Sequence, residues 1–149
     1  FRDLDEGRYD LVFAKRLSGS QRGRVIRTEP LCWCVGPEAS ITGGETVLPL
    51  ALHPEPSVSR TRVLEVLKAA GRPHRIATLS TSVAALKAAV AAGLGISAFT
   101  GYVIPEGLVQ LQAGLPPLGE LSYVIDRPAA ASPAVLELEA VLASAAKEL

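Results

Sequence analysis

The sequence predicts an α/β fold, a parallel or mixed sheet with helices on both faces. Three observations lead there. Short apolar runs alternate with stretches of helical periodicity through most of the chain. Several of those runs are continuous, as in strands buried on both sides. Glycine and proline punctuate the boundaries, as at Gly71 with Pro73 and at Gly93.

The elements follow in order. Phe1–Gly7 reads as the end of a helix closed by glycine, without a capped beginning, so the chain is expected to be part of a longer polypeptide. Tyr9–Ala14 is an apolar run suited to a buried parallel strand. Lys15 to Gly23, with Ser18, Gly19 and Ser20, reads as a connection. Val25–Arg27 and Pro30–Val35 look like strands, and Gly36-Pro37 and Gly43-Gly44 mark turns. Val47–Leu52 is a further apolar strand, ended by His53-Pro54-Glu55-Pro56.

A helix capped by Ser59 is expected next, with Val63, Val66, Leu67 and Ala70 on one stripe and Gly71 closing it. Arg75–Leu79 is a short strand. Ser80-Thr81-Ser82 supplies caps for a helix from Val83 to Ala92, and Leu94–Phe99 reads as another buried strand. Gly107 to Leu118 is mostly connection, and Leu121–Ile125 is a strand. Ser132-Pro133 starts the last helix, whose expected apolar face carries Leu138, Val141, Leu142, Ala145 and Leu149.

Composition bounds the function. With 149 residues, 48% hydrophobic, the chain can bury a core and fits one or two compact units. Its 15 basic and 15 acidic residues cancel, so it lacks the electrostatic footprint of a nucleic-acid binder. Val83–Phe99 is short for a membrane span and is interrupted by Lys87 and glycines. No signal peptide is visible. Cys32 and Cys34 flank Trp33 at a spacing that suits neither a metal nor an unstrained disulfide. On a strand both point to one face, as buried reduced thiols, which favours the cytoplasm. Trp33 is a packing residue by default.

Signatures of catalysis are missing. There is no G-x-S-x-G, no phosphate-binding P-loop, no G-x-G-x-x-G opening a helix and no H-E-x-x-H. His53 and His74 follow or precede prolines in loops and read as surface residues. Asp10, at a strand start, is a structural cap or a buried carboxylate, and Lys15-Arg16 is an exposed pair or an anion contact. No metal site, cofactor or catalytic residue is expected. Two helix starts qualify as anion cradles: Pro56-Ser57-Val58-Ser59 and Ser80-Thr81-Ser82. Free N–H groups and the helix dipole favour a carboxylate or phosphate there. The alternative is plain capping without a ligand.

Several segments together resemble the effector-binding domain of LysR-type bacterial transcription regulators. Leu4–Phe13 is similar to their helix, glycine and Asp-Leu segment, and Glu29–Val35 to their E-P-L-x-W-V crossover strand. Leu48-Pro49-Leu50 followed by Pro56 resembles the next strand and loop. Ala85–Ile96 resembles the V-x-x-G-L-G-I junction, the most specific piece, and Leu115–Leu118 and Ser132-Pro133-Ala134 complete the order. Phe99-Thr100 stands where the family usually has proline.

The resemblance implies a bilobal α/β fold like that of periplasmic binding proteins. It implies a partial subdomain I from residues 1–16 and 125–149 and a subdomain II from 17–124. It implies a small, anionic effector in the interdomain cleft, contacted by Pro56, Ser57, Val58 and Ser59, with Thr81 and Ser82 on the same rim. It also implies DNA binding through an N-terminal winged helix-turn-helix outside this chain, a homodimer or homotetramer, and no enzyme activity. A solute-binding protein of a transport system is the alternative with the same fold.

Overall fold

A computed structural model describes every residue except Ser18, Ser20, Tyr102, Val103 and Leu149. The two loop serines beside Gly19 and the helix-face position Leu149 thus lie outside the described residues. The elements run α1 (Arg2–Asp5), β1 (Val12–Leu17), β2 (Arg24–Val35), β3 (Leu48–Leu52), α2 (Val58–Ala69), β4 (His74–Leu79), α3 (Val83–Ala91), β5 (Ser97–Thr100), β6 (Val109–Gln110), β7 (Glu120–Asp126) and α4 (Pro133–Glu148). The chain divides into two compact units, Phe1–Glu29 with Glu120–Leu149, and Pro30–Gly119. The sequence places the corresponding boundaries at 16/17 and 124/125.

In the first unit β7 lies between β1 and β2. β1 runs antiparallel to β7, from Val12 opposite Asp126 to Leu17 opposite Leu121. The expected buried parallel strand over 9–14 is therefore corrected in position, direction and burial. Phe13 is exposed and stacks on Tyr123 at 6.0 Å between ring centroids, and Lys15 Nζ stands 4.9 Å from the centroid of the same ring. An aromatic face and a cation over it account for an exposed apolar residue on this strand. Leu121 and Ile125, opposite Leu17 and Phe13, are buried on the same face as Tyr123, and Val124 is buried on the other; Leu4 and, in α4, Ala143 and Ala146 are buried too.

The last helix begins as expected: Ser132 Oγ accepts the Val135 N–H and its carbonyl accepts the Leu136 N–H. Its buried face differs from the expected one. Leu138 is 48% exposed and Val141 58%, whereas Ala143 and Ala146 are buried. Three contacts turn the helix this way. Glu139 pairs with Arg24 at 2.7 Å and Arg127 at 2.5 Å, and Arg27 donates to the Ala146 carbonyl at 3.3 Å. Alanines on that side let the helix backbone come close.

The second unit has a mixed arrangement of strands. β5 pairs antiparallel with β2, Leu31 opposite Thr100 through Cys34 opposite Ser97, and β6 pairs antiparallel with the opposite edge of β2 at Cys34 and Val35. The expected strands 25–27 and 30–35 are one continuous β2. β3 and β4 pair parallel, Leu48 opposite His74 and Leu52 opposite Leu79, and Leu50 bridges Ile96.

Cys32 and Cys34 do point to one side, into a cluster with Ala51, Leu86, Val90 and Leu108. Both are free thiols, and burial pushes Cys34 up to about 12. Trp33, on the other face, is buried and donates its indole N–H to the Pro116 carbonyl at 2.9 Å.

Local signals at the helix ends hold. Gly93 has φ of 75°; its N–H donates to Val90 and the Leu94 N–H to Ala89, a Schellman closure. Gly71 closes α2 in the same way, with φ of 61°. Gly36 matters for space instead. A Cβ there would lie 2.7 Å from the Ala91 carbonyl oxygen and 2.8 Å from that of Val90, so β2 meets the end of α3 backbone to backbone.

Candidate functional site

The candidate residues occupy two loops of the second unit. The first, His53 to Ser57, leaves the carboxyl end of β3 and enters α2; the second, Ser80 to Ser82, leaves the carboxyl end of β4 and enters α3. Because β3 and β4 are parallel neighbours, both loops emerge at the same end of their sheet. Ligands of α/β folds collect at such strand ends, beside helix N-termini.

Ser57 caps α2. Its backbone is extended, with φ of −147° and ψ of 121°, and its hydroxyl accepts the Arg60 N–H at 3.3 Å. Ser59 is thereby corrected from the cap to the second helical residue; it makes a 3.2 Å hydroxyl contact with Ser57. Val58 and Ser59 are half-buried, and Pro56 is exposed after a cis Glu55–Pro56 bond. Ser82 caps α3, accepting the Ala85 N–H at 3.3 Å, and its own N–H donates to Ser80 Oγ at 3.1 Å. Thr81 and Ser82 are exposed. The amides of Val58, Ser59, Val83 and Ala84 precede the first bonds of their helices, so by position they have no intrahelical acceptor. They are the donors such a site offers to an anion.

His53, which joins the loops, and Arg60, which holds its backbone, carry no motif. His53 Nδ1 lies 2.9 Å from the Ser80 carbonyl oxygen, and the Ser80 N–H donates to the Leu52 carbonyl at 3.2 Å. Arg60, in the first turn of α2, donates from Nη1 to the His53 carbonyl at 3.4 Å. Its side chain is 13% exposed and faces Glu55 at 3.5 Å. His53 is in a loop, as expected, but it is half-buried and bonded to the neighbouring loop. The one available hint was its position, directly after an apolar strand and before Pro54.

The other candidates are His74 in the same unit and Asp10, Lys15 and Arg16 in the first unit. Asp10 is exposed at the edge of the first unit, which sets aside the buried-carboxylate option. Lys15 and Arg16 lie within β1. His74 Nδ1 is 3.0 Å from the Arg72 carbonyl oxygen. Among the described residues no group of three His, Cys, Asp or Glu side chains could hold a metal, and no helix is long and apolar enough to cross a membrane.

A cavity of about 380 Å³ in the first unit is lined by Leu4, Asp5, Gly7, Arg22, Asp126, Arg127 and Pro128. Arg22, Asp5 and Asp126 pair within it. Arg22 bridges Asp126 at 2.6 Å and Asp5 at 2.5 Å, and its hydrogen bond holds the Asp5 carboxyl below the usual range. The hydrogen bond from Arg127, then that from Arg24, does the same for Glu139.

Known proteins match this fold. The family model of the LysR substrate binding domain matches residues 1–147. The HTH-type transcriptional regulator PecT of Dickeya dadantii (strain 3937) is 33% identical over 126 residues, covering 83% of the chain. The chain spans 40% of PecT's length.

Among solved structures, the regulatory domain of CcmR from Synechocystis PCC6803, in complex with 2-PG, superposes with a TM-score of 0.76 at 16% identity. The match covers 97% of this chain and 76% of that one. The bromide ion-bound regulatory domain of HypT from Salmonella typhimurium gives a TM-score of 0.76 at 19% identity, covering 99% and 77%. These likenesses establish the expected fold class, α/β of the periplasmic-binding-protein type. From the extent of the family match and the identity to PecT, the chain belongs to the LysR substrate-binding domain family.

Proposed function

We propose that this chain is the effector-sensing domain of a LysR-type DNA-binding transcriptional regulator. Its ligand is a small anionic metabolite, held by Pro56, Ser57, Val58 and Ser59 with Thr81 and Ser82. The observation that carries the reading is the pairing of two helix-start loops at one end of β3 and β4. That arrangement concentrates amide donors and hydroxyls around one place, with backbone dipoles favouring negative charge. The bromide ion in the HypT domain supports an anionic ligand. In this reading the Pro30–Gly119 unit is regulatory subdomain II and the other unit a partial subdomain I.

No bond is made or broken. The effector favours one of two conformations, and linkage passes that preference to DNA-binding domains elsewhere in a homodimeric or homotetrameric cytoplasmic protein. Coupling of this kind is worth about 1–3 kcal/mol. Kinship with PecT favours regulation over transport-type solute binding. The test is a thermal-shift screen with carboxylates and phosphates. A ligand at a hundred times its Kd adds about 2.7 kcal/mol of stability, a readily measured rise in melting temperature. A panel without any rise would refute the reading.

A further inference from the structure

We propose that His53 is a positioning residue that clamps the two loops of the effector site into one rigid rim. The inference rests on the effector reading for its functional consequence, and on geometry for the clamp itself. A carbonyl oxygen only accepts, so His53 Nδ1, 2.9 Å from the Ser80 carbonyl, carries the hydrogen and donates it. One imidazole thereby ties the residue after β3 to the residue after β4.

The bond belongs to a continuous path. Arg60 Nη1 donates to the His53 carbonyl at 3.4 Å, which fixes the backbone that presents the ring. His53 donates to Ser80. Ser80 Oγ accepts the Ser82 N–H at 3.1 Å, and Ser82 Oγ accepts the Ala85 N–H at 3.3 Å. The path runs from the first turn of α2 to the first turn of α3. Both helix starts expose the amides that the proposed ligand uses, so their spacing decides whether one anion reaches both sets. A rim held in place before binding spares the ordering cost that a loose pair of loops would incur.

The consequence is local. Breaking the clamp loosens residues 80–86 relative to α2 without disturbing the rest of the buried cluster, Cys32, Cys34 and Val90. The carboxyl end of β4 keeps its pairing with β3 and the bond from the Ser80 N–H to the Leu52 carbonyl.

Amide hydrogen exchange on the whole chain, read by mass spectrometry, tests this. His53→Ala removes the donor. His53→Asn places an amide N–H where Nδ1 stood, whereas His53→Gln carries its amide one methylene further. Exchange over residues 80–86 is expected to rise about fivefold in the alanine and glutamine variants, the factor for one net hydrogen bond. In the asparagine variant it returns to the parental rate. Exchange over residues 31–35 stays parental in all three, which a general loss of stability would not allow. Parental exchange in His53→Ala, or equal exchange in the asparagine and glutamine variants, overturns the clamp. Should His53→Ala fail to fold, the asparagine and glutamine pair decides alone.

Sodium bromide serves as the probe for the underlying reading. Protection over 57–61 and 80–86 is expected in the parent. Its absence, with the ligand-free exchange results as predicted, counts against the anion reading and leaves the clamp standing.

Discussion

Replacing Gly36 by alanine tests how tightly the second unit is built behind its site. The new Cβ would stand 2.7 Å from the Ala91 carbonyl oxygen and 2.8 Å from that of Val90. Real Cβ atoms do not approach backbone oxygens so closely, and neither oxygen sits on a flexible side chain, so β2 and the last turn of α3 must move apart. The Val90 carbonyl also accepts the Gly93 N–H at 3.0 Å, so displacing it strains the closure of α3. Overpacking costs about 1–3 kcal/mol and a weakened hydrogen bond about 1 more, for a total of about 2–4 kcal/mol. In a chain of this size that lowers the melting temperature by roughly 5–15 °C.

Gly71→Ala is the matched control. Nothing lies within 4 Å of its added Cβ, but its φ of 61° belongs to the left-handed region. The cost there is about 1–2 kcal/mol of backbone strain, and Gly71→Asn recovers part of it. Asparagine at Gly36 recovers nothing, because the fault is space. Calorimetric melting of the four variants separates the two causes. A Gly36→Ala protein that melts with the parent would refute the close approach.

Three further outcomes follow from the same structure. Leu86→Ala, which empties part of the cluster around Cys34 and Val90, costs about 2–5 kcal/mol in denaturant titration. Cys34 resists alkylation at mildly alkaline pH, since its thiolate forms only as pH nears about 12, and becomes reactive on unfolding; rapid labelling of the native protein would contradict its burial. Glu139, held below its ordinary 4.5 by Arg127 and Arg24, contributes stability that is full above that value and is lost as pH falls through its lower folded value. Melting of the parent below about pH 4.5 should therefore fall more steeply than that of Glu139→Gln, and parallel curves would contradict the pairing.

What was legible in the sequence was what neighbours along the chain decide. Gly71 and Gly93 sit where a closing residue must be left-handed, and Ser82 and Ser132 precede helices with a free hydroxyl. The alternation of Cys32 and Cys34 needs only the period of a strand. What depends on distant partners was not legible. β1 takes its antiparallel direction from β7, more than a hundred residues away, and Phe13 reads as interior and Lys15 as the start of a connection until Tyr123 is beside them.

In α4 the apolar stripe pointed outward because Glu139 is drawn to Arg24 and Arg127. The choice of Ser57 over Ser59 as cap follows from where the chain turns out of the Pro56 loop, and both serines suit a cap by type. The candidate site was legible as two serine-rich loops. Their union was not, because His53 acts on a backbone carbonyl 27 residues away that any amino acid would supply.

The most direct measurement is calorimetric titration of the strongest ligand from the thermal-shift screen into the parent, Ser57→Ala and Thr81→Ala proteins. Ser57 holds the start of α2 and Thr81 is exposed in the second loop, so both substitutions remove hydroxyls at the proposed rim. The account predicts that each weakens binding about fivefold to tenfold, as loss of one net hydrogen bond should. Unchanged affinity in both variants would place the effector elsewhere and contradict the site.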